Sequence, residues 1–213
     1  MSRLSSDFVE AFRAQRASAI LRTDNVAAVA PAVEAAIDGG FRIVEFTLNT
    51  PGALQHIASF AARGDVIVTA GTVLTVDEAN AAMDAGAACI VSPVVDELVI
   101  EAALRRDVAV MPGTHTPTEM LRAHRAGAPL QKLFPAPDTG PKFLKAVLGP
   151  MPFLNVVPTN GVHENNAQAW LKAGAFALGF VNTLFDPNDM AEGRFDAIKE
   201  RAQRILARLD ITR

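Results

Sequence analysis

The sequence predicts an α/β fold, a (β/α)8 TIM barrel with an extra N-terminal helix. Three observations predict it. A phrase of helix, small-Gly-small and apolar strand recurs along the chain. Eight short runs rich in Val, Ile and Leu alternate with helical patterns. All of this fits in 213 residues, a length at which α/β barrels form one unit. We read 1–213 as a single (β/α)8 barrel domain.

The elements follow in order. Asp7 to Arg16 has a helical pattern and serves as the extra helix that closes the barrel bottom. The expected strands are Ser18–Leu21, Ile43–Phe46, Val66–Thr69, Cys89–Val91, Val108–Met111, Leu130–Leu133, Leu154–Val157 and Phe176–Leu178. Apolar strands separated by helices imply parallel pairing through βαβ crossovers. The recurring glycines Gly40, Gly86, Gly127 and Gly174 lie 40–50 residues apart, the length of two βα units. Glycine just past a helix end takes the left-handed conformation at low cost. Pro31 interrupts the first barrel helix, which is expected to kink or start late. The last helix carries Phe195, Ile198, Ala202, Ile205, Leu206 and Leu209, a stripe that packs on the barrel. A doubly wound open sheet is the alternative, but no G-x-G-x-x-G follows the first strand.

Half of the residues are hydrophobic and the net charge is -3, so no nucleic-acid footprint is present. Met1 to Arg16 lacks an uninterrupted apolar stretch, and no run of 18 apolar residues occurs. We expect no membrane partner, a reducing compartment and a cytoplasmic protein. The single Cys89 reads as a buried small hydrophobe.

Five lysines occur, and only Lys132 falls in a strand. Burying an ammonium is costly, which favours the neutral amine as a nucleophile for Schiff-base chemistry on a carbonyl. The same placement would also suit a lysine whose stem packs in the sheet while its head reaches water. Glu45 interrupts the apolar run Ile43-Val44-Glu45-Phe46. A carboxylate is rarely buried unpaired. A lysine and a glutamate in one barrel make an amine nucleophile beside a proton shuttle, or else a structural ion pair.

Active sites of this fold sit at the C-terminal strand ends. The polar and small residues there include Arg22, Asn49, Gly71, Thr72, Thr159, Asn160, Gly161, Gly179 and Asn182. Gly71, Thr72, Gly161 and Gly179 offer backbone N–H groups and a hydroxyl that suit a carboxylate or phosphate oxygen. His56, His115, His124 and His163 have no ligand-like spacing, and no metal set is expected.

Several segments together resemble one family. They are Gly40-Phe41-Arg42-Ile43-Val44-Glu45-Phe46-Thr47-Leu48, Ala70-Gly71-Thr72-Val73-Leu74, Val91-Ser92-Pro93, Met111-Pro112-Gly113-Thr114 and Gln131-Lys132-Leu133-Phe134-Pro135-Ala136. From about Ser18 to Phe185 the chain resembles the class I aldolases that cleave 2-keto-3-deoxy-6-phosphogluconate (KDPG) and 4-hydroxy-2-oxoglutarate (KHG). The resemblance implies a homotrimeric barrel with no cofactor and no metal, acting on a small keto acid. It places the Schiff-base lysine on Lys132, the acid/base glutamate on Glu45 and the carboxylate-binding pair on Gly71 and Thr72. It makes Phe134 and Pro93 pocket walls, and lets Thr159 hold a water or hydroxyl.

KDPG is the expected substrate, cleaved to pyruvate and glyceraldehyde 3-phosphate. Two departures bear on that choice. Leu48-Asn49-Thr50-Pro51 resembles members acting on the galactonate analogue, and Arg22 is then a candidate for the positive charge that Asn49 lacks. Asn160 and Val181-Asn182 stand where the family has small residues, and their side chains crowd amides that would cradle phosphate. An unphosphorylated or galactonate-type acid such as 4-hydroxy-2-oxoglutarate is therefore the second expectation. A phosphate-binding isomerase or epimerase, which leaves Lys132 without a covalent role, is a third, and a non-catalytic barrel that binds a keto acid is a fourth.

Overall fold

The computed structural model describes residues 3–209. Met1, Ser2 and residues 210–213, which belong to the 1–213 domain and to the N-terminal stretch read above, lie outside the described residues.

Helix α1 (Arg3–Gln15) leads into strand β1 (Ala17–Leu21). Strand and helix then alternate: α2 (Val26–Asp38), β2 (Ile43–Thr47), α3 (Ala53–Ala61), β3 (Ile67–Gly71), α4 (Val76–Asp84), β4 (Cys89–Val91) and α5 (Glu97–Arg105). The second half runs β5 (Ala109–Met111), β6 (Gly113–Thr114), α6 (Pro117–Arg125), β7 (Gln131–Leu133), α7 (Pro141–Leu148), β8 (Val156–Pro158), α8 (Ala167–Lys172) and β9 (Leu178–Phe180). Helices α9 (Pro187–Ala191) and α10 (Phe195–Arg208) follow.

Local chemistry sets these boundaries. Thr75 and Glu78 form a capping box at the start of α4, and Thr116 and Glu119 form another at α6 with Pro117 just inside it. The four recurring glycines follow helix ends with φ of 113°, 99°, 95° and 101°. At the first of them, the Phe41 amide donates to the Ala36 carbonyl at 3.1 Å, a bond that closes the helix end. Helix α2 is continuous from Val26 with Pro31 inside it, so it does not start late. Pro31 and Ala27 are exposed, so the Ala27 carbonyl that proline leaves unbonded faces water.

All strand pairs are parallel. One sheet has the order β5-β4-β3-β2-β1-β9 and the other β6-β7-β8. The fifth strand was expected to end at Met111, but the extended run continues as β6 beyond Pro112, which has no N–H to give. Its carbonyl accepts from the Lys132 amide at 2.9 Å, so the run changes partner from β4 to β7 there. At the other seam the Phe176 amide donates to the Val156 carbonyl at 2.8 Å, and Thr159 bridges Gly179. The result is an α/β fold with a curled parallel sheet, similar to a TIM barrel.

Four strands end later than expected, β2 by one residue, at Thr47. β3 extends to Gly71, β8 to Pro158 and β9 to Phe180. Two buried clusters divide the interior. One joins outward strand residues such as Val44, Phe46, Val68 and Leu178 to the helices. The other collects Ile43, Cys89, Val91, Ala109, Leu130, Val157 and Ala177 with Phe8 and Phe12 of α1. Phe12 meets Phe176 edge-on, with ring centroids 6.2 Å apart.

Candidate active site

Period-two alternation puts Ile43, Glu45 and Thr47 on one face of β2, and Ile43 belongs to the inner cluster. Leu130 and Lys132 alternate in the same way. Glu45 and Lys132 therefore meet inside the curled sheet, although 87 residues separate them. Lys132 Nζ lies 3.4 Å from Glu45 Oε1. Glu45 is 1% exposed and Lys132 5%.

The surroundings fit this pair closely. A Cβ on Gly71 would overlap Glu45 Oε1, so the glycine at the end of β3 is what admits the carboxylate. Lys132 Nζ stands 5.5 Å from the centre of the Phe134 ring, within cation–π reach. Glu45 Oε2 has no hydrogen-bond partner among the described residues, and neither have the buried hydroxyls of Ser18 and Thr159. A Cβ on Gly179 would come within 2.5 Å of Thr159 Oγ1 and 2.8 Å of Ile20 Cδ1. Gly179 thus leaves room beside the Thr159 hydroxyl. Unpartnered buried oxygens of this kind are suited to bind a water or a substrate oxygen.

The other expected residues divide into two groups. Thr72 is half-buried with φ 60°, directly after Gly71, and Pro93 is half-buried after β4. Arg22, Asn49, Asn160, Gly161 and Asn182 are exposed on the loops that follow β1, β2, β8 and β9. None of these five has a described bond to Lys132 or Glu45. Asn160 has φ 61° and Gly161 φ 106°. Asparagine is one of the few side-chain-bearing residues that tolerates that conformation, so Asn160 keeps a backbone shape that glycine would also take.

Two residues that the sequence did not tie to the site are buried on β4 and β1. Cys89, read only as a core residue, lies close enough to the pair to feel it. Burial pushes its thiol well above the ordinary range, the Glu45 charge adds to that, and Lys132 opposes it. Ser18 is the second, with its hydroxyl buried and unpartnered. Among the described residues no three His, Cys, Asp or Glu side chains come together as a metal site.

A buried amine and carboxylate at the centre of a curled parallel sheet define an α/β enzyme of the barrel type. The family model for "KDPG and KHG aldolase" matches residues 9–200, and the chain belongs to that family of lyases. A probable 2-dehydro-3-deoxy-6-phosphogalactonate aldolase of Rhizobium meliloti (strain 1021) is 34% identical over 181 residues, covering 84% of each chain. A 2-dehydro-3-deoxy-phosphogluconate aldolase of Treponema pallidum (strain Nichols) is 31% identical over 92% of this chain and 95% of its own. A solved structure described as native KDPGal is 31% identical with a TM-score of 0.81, over 91% of this chain and 93% of that one.

Proposed function

We propose that the protein is a class I aldolase that cleaves a 2-keto-3-deoxy-6-phospho sugar acid to pyruvate and glyceraldehyde 3-phosphate. The observation that carries this reading is the buried Lys132–Glu45 pair at 3.4 Å. Lys132 Nζ attacks the C2 ketone, and loss of water leaves an iminium. Glu45 takes the proton of the C4 hydroxyl as the C3–C4 bond breaks, with the bonding electrons flowing into the iminium. The aldehyde leaves. The enamine is protonated at C3, and water releases pyruvate and restores the amine.

Gly71 and Thr72 receive the substrate carboxylate, with Arg22 supplying the positive charge that Asn49 does not. Phe134 and Pro93 wall the pocket, and Thr159, beside the space at Gly179, holds a water or a substrate hydroxyl. Asn160, Gly161, Gly179 and Asn182 face the far end of the substrate. The two sheets act as one (β/α)8 barrel in a single domain, with α1 as its bottom plug. The break at Pro112 and the Thr159–Gly179 bridge support that closure. KDPG is the first substrate. Its galactonate epimer is the second, favoured by Asn49 in place of a cation.

We read the assembly as a homotrimer. Val26, Leu54, Leu74, Val94 and Leu98 are exposed at the starts of α2 to α5, along one rim. Exposed large apolar side chains on successive helix starts suit a subunit interface. Among the described residues no helix is long and apolar enough to cross a membrane, and the single buried Cys89 suits a reducing cytoplasm.

The test is release of pyruvate from KDPG and from its galactonate epimer, followed separately. Turnover of at least one is expected; failure to release pyruvate from either contradicts the proposal.

A further inference from the structure

The loops that carry Arg22 and Asn49 are joined by hydrogen bonds that the roles above do not use. Thr47, the last residue of β2, and Thr50 are both buried. Thr47 Oγ1 donates to the Leu21 carbonyl at 3.2 Å, and the two threonine hydroxyls lie 3.1 Å apart. The Thr23 amide donates to Thr50 Oγ1 at 3.4 Å. A hydroxyl has one proton to give. Thr47 gives its proton to Leu21, so it accepts from Thr50, and Thr50 accepts from Thr23. The chain therefore runs one way, from the Thr23 amide through Thr50 and Thr47 to the Leu21 carbonyl.

Leu21 and Thr23 are the residues on either side of Arg22. The chain holds the backbone of Arg22 on both flanks. Its other end is also fixed. The Thr50 amide donates to the Thr47 carbonyl at 2.8 Å, closing a turn over Asn49, and the Leu48 amide donates to the Gly71 carbonyl at 2.8 Å. Arg22, Asn49 and Gly71 are in this way tied to one frame: Thr47 and the β1–β2 pairing hold the Leu21 side of Arg22, and Thr50 holds the Thr23 side.

We infer that Thr50 is a positioning residue for Arg22, which fixes where the guanidinium meets the acidic end of the substrate. An exposed arginine has many rotamers, so its productive placement depends on where its Cα is held. Freeing the loop lets the cation drift from the anion it must meet and weakens substrate binding more than it slows the chemistry at Lys132. The inference rests on the reading that Arg22 binds substrate.

The experiment is a double-mutant cycle on the full chain, with KM and kcat for cleavage of the preferred substrate, and melting followed by circular dichroism. Thr50→Val keeps the shape and removes the hydroxyl. Thr50→Ser restores the hydroxyl, and Thr50→Ala serves in the same cycle if the valine variant does not fold. We expect Thr50→Val to raise KM about tenfold with a smaller change in kcat, and Thr50→Ser to bring it back. In an Arg22→Ala background, Thr50→Val should add nothing further. Equal losses in both backgrounds, or a parental KM for Thr50→Val and Thr50→Ala, would overturn the inference while leaving the role of Arg22 intact. A parental KM for Arg22→Ala alone removes the premise, and the inference falls with it.

Discussion

A carboxylate with one oxygen 3.4 Å from the lysine nitrogen and the other without a partner among the described residues can take a proton on one side and pass it on from the other. Buried ion pairs contribute little net stability, so packing alone does not account for Glu45. Glu45→Gln keeps the shape and removes the shuttle. We expect kcat to fall about 10²–10⁴-fold, measured by pyruvate release, with the fold retained by circular dichroism. Turnover close to parental would make Glu45 a structural residue. Both members of the pair were legible in the sequence because a charge interrupting an apolar strand stands out. Cys89 and Ser18 were not, since a small polar side chain in a strand reads as ordinary filling until neighbouring strands show what it faces. Thr50 was hidden for a related reason: its partner Thr23 belongs to the β1 loop, and only the pairing of β1 with β2 brings that loop alongside.

Helix α9 is short; Asp186 caps its start, and Asp189 ties it to the chain that follows. Asp189 accepts from Arg194 Nε at 2.8 Å and from Arg201 at 2.6 Å, and Arg201 also donates to the Leu184 carbonyl at 2.8 Å. The Arg201 bond, opposed by desolvation and helped by Arg194, holds the Asp189 carboxyl below its usual range. A carboxylate whose folded value is depressed stabilises the fold above its unfolded value, near about 3.9, and that contribution fades as pH falls through the folded value. Asp189→Asn should therefore cost about 2 kcal/mol at neutral pH in urea denaturation, and the gap to the parent should close in acid below pH about 4. A gap that stays constant with pH would mean the charge is not what matters. No local pattern announced this hub, because Arg201 lies twelve residues on, in α10.

The strand ends that bear the far end of the site behave differently. β8 and β9 were expected two residues or so too early, since Leu154 and Phe176 are apolar and look like strand residues. At Asn160 the backbone has φ 61°, so Asn160→Gly removes a side chain without asking the chain to move. Combined with Val181→Gly it should raise the ratio of kcat/KM for phosphorylated over unphosphorylated 2-keto-3-deoxy acids. An unchanged ratio, or a parent enzyme that already prefers phosphate by many orders of magnitude, would show that these side chains do not crowd the site.

At the scale of the molecule, the alternation of strands and helices was readable because each element carries its own stop signal. The change of partner at Pro112 was not, since it depends on which strands lie on either side. The exposed rim of Val26, Leu54, Leu74, Val94 and Leu98 leads to a prediction about assembly. Light scattering at micromolar concentration should give a mass of three chains, and a single-chain mass would contradict the trimer. The central claim is that a covalent adduct forms at one buried amine. Its most direct measurement is incubation with pyruvate and borohydride, followed by peptide mass mapping. The account predicts one reduced pyruvyl adduct, on Lys132, absent from a Lys132→Ala variant; an adduct on Lys142, Lys145, Lys172 or Lys199 instead, or no adduct at all, would contradict it.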